Sequence, residues 1–146
     1  MSRLTTIAAV FAVVLSSTLT AQAHVNPADV AERCINHVDN VADRCHNAIA
    51  DDTHDCVIEI RRLLRAGRDE AAAAVARQCL QDGRETVRKC SIEITDICTE
   101  CVRYLLNVGA DQLARRVYHH CGETADAFDI LLSRQEEIIS DALNGQ

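Results

Sequence analysis

Aromatic side chains are nearly missing from this sequence: it has no tryptophan, two tyrosines and two phenylalanines in 146 residues. Beyond the N-terminal segment only Tyr104, Tyr118 and Phe128 remain, too few for a large stacking pocket. A basic run is missing as well. Lysine and arginine number 15 against 22 aspartates and glutamates, a formal net charge of −7, so the chain lacks an electrostatic footprint for nucleic acid or for an anionic membrane surface. No nucleophile motif, phosphate-cradling glycine loop or catalytically spaced carboxylate pair occurs, and the expectation is a protein that is not an enzyme. Asp51, Asp52 and Asp55 lack the alternating carboxylates and central glycine of a calcium loop and read as a solvated acidic face.

What the chain has in quantity is cysteine, eight in all. Cys34, Cys45 and Cys56 stand eleven residues apart, and so do Cys79, Cys90 and Cys101. Eleven residues make about three helical turns, so each set lies along one helix face. The two sets mirror each other about a point between residues 67 and 68, beside Gly67. Facing residues of an antiparallel helical hairpin are related in this way. The spacing therefore selects Cys34–Cys101, Cys45–Cys90 and Cys56–Cys79 from the roughly one hundred pairings that eight cysteines allow. Cys98 and Cys121 mirror about a second point beside Gly109 and predict a fourth bond, to a third helix. Cys98 and Cys101 lie about 60° apart around the helix axis, so each faces a different neighbour.

The expected fold class is all-α, an up-down-up bundle of three long helices over about 27–66, 69–107 and 111–143. Asn26 is placed to cap the first, with Pro27 at the first helical position and Asp29 at the positive end of the dipole. Val38, Val41, Ala48, Ile60 and Leu63 join the cysteines in its apolar stripe. Asp51 to Asp55 is its weak point, rich in poor helix formers and without an apolar residue, and the interior Gly83 of the second helix falls near the same level. Leu113, Val117, Phe128, Leu131, Ile138 and Leu143 trace the stripe of the third, which also carries an interior Gly122. Leu63 to Asp69 recurs 42 residues later as Leu105 to Asp111, and Cys56 and Cys79 recur as Cys98 and Cys121. Two such repeats are too few for a solenoid.

Residues 1–23 read as a secretory signal peptide, with Arg3 before a mostly apolar run and Ala21-Gln22-Ala23 as a small-residue cleavage site. Residues 24–146 are then a single disulfide-stapled helical domain, with no membrane span after cleavage. Export and abundant cysteine agree, because disulfides persist in oxidising compartments. The expected location is secreted or periplasmic.

Cys98-Thr99-Glu100-Cys101 is a C-x-x-C, but no βαβ pattern surrounds it and each cysteine has a partner elsewhere, so it reads as structural. No cofactor and no metal are expected. Were copper bound, His24, His119 and His120 are the candidate ligands besides the thiolates, although adjacent histidines on a helix point about 100° apart. Exported four-helix copper-storage proteins are similar in outline, yet they use C-x-x-x-C pairs and this chain has none. The function expected is that of a non-catalytic scaffold or interaction protein, binding another protein or a second copy of itself. Metal binding and carriage of a slender apolar ligand are the alternatives. N-terminal analysis of the exported protein should find a chain beginning at His24; a product that retains Arg3 would refute the signal reading.

Overall fold

The computed structural model describes residues 25–145; the signal reading at 1–23 and the candidate ligand His24 lie outside the described residues. Three helices make up nearly all of it: α1 (Pro27–Arg65), α2 (Asp69–Asn107) and α3 (Asp111–Leu143). They run up, down and up, each packed on both of the others. At about 1.5 Å per residue the 39-residue α1 and α2 are roughly 58 Å long, so the domain is a rod.

The helix ends follow the sequence. The Asn26 side chain accepts from the Ala28 N–H at 3.1 Å, and Pro27 occupies the first turn. Helix α1 stops at Arg65, one residue short of the expected end, with Ala66 as its C-cap. Gly67 follows at φ 68°, a left-handed conformation that is costly for residues with a Cβ. It lets the Arg68 N–H reach Leu63 O at 3.0 Å and the Gly67 N–H reach Leu64 O at 2.9 Å. The α2–α3 turn repeats the motif: Gly109 has φ 72°, Ala110 N–H bonds Leu105 O at 2.8 Å, and Gly109 N–H bonds Leu106 O at 3.0 Å. The internal repeat of the sequence is thus a repeat of one turn geometry.

All four predicted disulfides are present: Cys34–Cys101, Cys45–Cys90 and Cys56–Cys79 join α1 to α2, and Cys98–Cys121 joins α2 to α3. Their Cα–Cα distances span only 6.2 to 6.4 Å, so the two crosslinked helix pairs keep a nearly constant separation. In a chain-entropy account a loop the size of that closed by Cys56–Cys79 is worth on the order of 3 kcal/mol. Nested bonds are not additive.

Along the rod the core divides into three clusters. Cys34, Leu105, Ala114 and Val117 pack at the Gly109 end. Val38, Ile49, Val87, Ile94 and Phe128 fill the middle. Ile60, Leu63, Ala72, Ala76 and Ile139 fill the Gly67 end. Three positions of the apolar stripes differ from the sequence reading. Ala48 is exposed and Ile49 buried; Leu113 is half-buried beside a buried Ala114; Ile138 is 41% exposed beside Ile139 at 1%. Each difference falls on two adjacent apolar residues, about 100° apart on the helix. Periodicity alone does not choose between such neighbours; the positions of the other two helices do.

Between the middle and Gly67-end clusters lies a polar seam. Helix α1 runs unbroken through Asp51 to Asp55, and the hydroxyl of Thr53, buried at 6%, is satisfied by donating to the Ile49 carbonyl at 2.6 Å. On α2 the seam is Gly83, and on α3 it is Gln135, only 3% exposed. A Cβ on Gly83 would overlap the Gln135 side-chain amide. The interior glycine is therefore the space that the glutamine occupies. Gly122, by contrast, faces nothing within 4 Å.

Gly83→Ala should accordingly destabilise the oxidised protein by about 1–3 kcal/mol through overpacking. In a Gln135→Ala background most of that penalty should vanish, because the colliding amide is gone. Gly122→Ala should stabilise by about 0.5–1 kcal/mol. Denaturant unfolding of the four variants checks the cycle, and equal effects at the two glycines would refute the account.

Candidate functional site

The cysteines offer no reactive sulfur. All eight are in disulfides and no cysteine is free, so the thiolates required for a Cu(I) site are absent from the folded, oxidised protein. Cys98 and Cys101, three apart in sequence, are bonded to α3 and α1 respectively, which removes the redox-pair geometry that a C-x-x-C suggests. Cys98 and Cys121 instead form part of a groove floor.

The two adjacent histidines diverge. His119 is 76% exposed at its side chain and lies 3.4 Å from Glu123 on its own helix, whereas His120 Nε2 bonds Asp39 of α1 at 2.7 Å. The second contact ties α3 to α1, the one helix pair without a disulfide. No group of three or more histidine, cysteine or acidic side chains that could hold a metal exists among the described residues.

Exposed ion pairs cross the other helix boundaries, Arg44–Glu93 between α1 and α2 at 2.6 Å and Arg84–Glu136 between α2 and α3 at 2.7 Å. On the α2 surface the Arg88 guanidinium hydrogen-bonds Glu85 and holds its carboxyl down to about 2, far below the usual carboxylate range. Arg62 lowers Glu59 on α1 in the same way, against an opposing effect of burial. Both are local pairs one turn apart on the outer helix surface. They order the helix surface and build no site.

Concavity is found between helices. The larger groove, about 780 Å³, lies between α2 and α3 near the Gly109 turn. Its floor includes Ile94, Val102 and the Cys98–Cys121 bond; Gly122 opens one wall, and Leu106 and Tyr118 stand at its lip. Leu106 is 50% and Tyr118 73% exposed. The charged residues at its edge are mixed in sign: Arg103, Glu123 and Asp126. A second groove, between α1 and α3, passes the polar seam. Sequence patterning does not reveal either one, since a groove is the gap between two stripes and not a stripe itself. Its legible signal was a large apolar residue in a polar register, Tyr118 between Val117 and the two histidines.

Neither a protein-family model nor a curated protein nor a solved structure matches the chain. Its site must be argued from its own geometry. No helix among the described residues is long and apolar enough to cross a membrane. Thiol titration of the unfolded, unreduced protein should detect no reactive cysteine, and eight after reduction. Tight Cu(I) uptake should appear only in the reduced sample, and uptake before reduction would restore the metal reading.

Proposed function

We propose that the protein is a non-catalytic interaction protein of an oxidising, extracytoplasmic compartment, which presents the α2/α3 groove to another protein. The observation that carries this reading is the pairing of Tyr118 and Leu106, both largely exposed, at the lip of a groove floored by a disulfide. Apolar side chains gathered at a concave surface favour association. The crosslinks support the same reading from the energetic side. Cys98–Cys121 joins the two walls, so less ordering entropy is lost when a partner docks. Four disulfides support the compartment, and the small-residue cleavage site after the apolar run supports export.

The partner is a protein with an apolar projection rimmed by charges of both signs, complementary to Arg103 on one side and to Glu123 and Asp126 on the other. A second copy of this chain meets an obstacle, since the full sequence carries −7 and loses a further positive charge with Arg3, so two such acidic molecules repel. A photo-crosslinking residue at position 118, in protein expressed in its native compartment, should give a discrete heteromeric adduct. The same residue at Arg77, exposed on α2 and away from the groove, should give none, and Leu106→Glu should reduce the adduct at least severalfold. Uncrosslinked monomer alone would sink the reading, and a homodimer adduct would replace the partner with a second copy.

A further inference from the structure

The α1/α3 groove differs in chemistry from the rest of this acidic molecule. It measures about 470 Å³ and is lined by apolar Ile49, Val57, Leu131 and Ile138 together with Thr53 and Gln135. The titratable groups lining it are His46, His54 and Arg134. A second concavity, about 620 Å³, lies nearer the Gly67 turn, with Ile58 and Leu64 as its large apolar residues and Arg61 and Arg65 as its charged ones. No carboxylate lines either concavity among the described residues. In a chain with 22 acidic and 15 basic residues, a groove bordered only by cationic and imidazole groups marks a preference for negative charge. Arg134 has no ion-pair partner among the described residues, unlike Arg44, Arg62, Arg84 and Arg88.

Behind the groove, the Gln135 amide is turned toward Gly83 of α2. It is 3% exposed, and neither Oε1 nor Nε2 has a hydrogen-bond partner. Thr53, the other buried polar residue of the seam, is satisfied by Ile49 O. An unpaired buried amide is costly, but Gln135 borders both this groove and a smaller one between α2 and α3 that carries Asp129 and Glu136; what distinguishes the α1/α3 side is the unpaired Arg134. The two concavities each fall within the range of about 300–1,000 Å³ usual for small-ligand sites. Their α1 residues lie between His46 and Arg65.

We propose that the α1/α3 groove binds a single-chain anionic amphiphile, such as a long-chain carboxylate, with its head group at Arg134 and its chain along Val57, Leu131 and Ile138. This site is separate from the α2/α3 groove, so either can fail without the other. Calorimetric titration of the purified, oxidised protein with palmitate below its micelle concentration should show saturable binding of one molecule per chain. Hexadecanol, with the same chain and no charge, should bind about tenfold more weakly, the loss expected for a charge-assisted hydrogen bond. Arg134→Gln should weaken palmitate about tenfold and leave hexadecanol unchanged, and Ile138→Ser should weaken both. Both side chains are exposed, so unfolding midpoints should be unaltered. Equal affinity for the acid and the alcohol, palmitate binding that survives Arg134→Gln, or no saturable binding would overturn the proposal. Co-sedimentation with phosphatidylglycerol vesicles without uptake of monomeric palmitate would overturn it in favour of a membrane surface.

Discussion

Everything in this structure depends on a register condition: the two halves of each disulfide must meet at one height. Three bonds between α1 and α2 meet it because eleven residues bring a helix back to nearly the same face, and because the chain reverses at a glycine midway between the two sets. The crosslinks hold facing Cα atoms 6.2 to 6.4 Å apart; since each Cα stands about 2.3 Å from its helix axis, the rungs suit ordinary helix–helix packing. The core between α1 and α2 therefore mixes the cystines with alanine, valine and larger residues, among them Ile49, Ile60, Leu63 and Ile94.

A thin core of this kind leaves little apolar area per residue, and small chains in that position depend on covalent staples. It also tolerates little irregularity, which gives the seam at Thr53, Gly83 and Gln135 its significance. A glutamine buried at 3% with no partner works against stability. It sits where the rods are least apolar, between two core clusters and opposite a glycine that makes room for it. The same height has no cysteine on any helix. The polar seam and the ladder thus divide the rod: sulfur fixes the helices at some levels, and a polar residue interrupts the packing at another.

Crosslinks also distribute the surface. Helix α2 is tied to both neighbours, whereas α1 and α3 meet without a disulfide and are bridged by the exposed His120–Asp39 contact. The α2/α3 groove has a disulfide in its floor and mixed charges at its edge; the α1/α3 groove has a buried amide in its wall and a one-signed edge. The first is the docking surface proposed above. The second combines apolar residues with a cationic edge, which suits the anionic amphiphile proposed for it.

Much of the architecture was legible in the amino-acid sequence. Helix periods, the glycine turns and the disulfide pairing are local or follow from mirror symmetry, and each rests on backbone geometry that is the same in every protein. Even the fault in the rod could be seen, as the coincidence of Asp52 and Gly83. Gln135 could not. Its residue type belongs on the surface, and nothing in the period of α3 separates it from Arg134 or Glu136, which are exposed. The choice between Ala48 and Ile49, or Ile138 and Ile139, was hidden for the same reason. Which of two adjacent residues turns inward, which gaps between helices stay open and which charges border them depend on how three surfaces meet. That angle is set by packing among all three helices at once and is not written in any one of them.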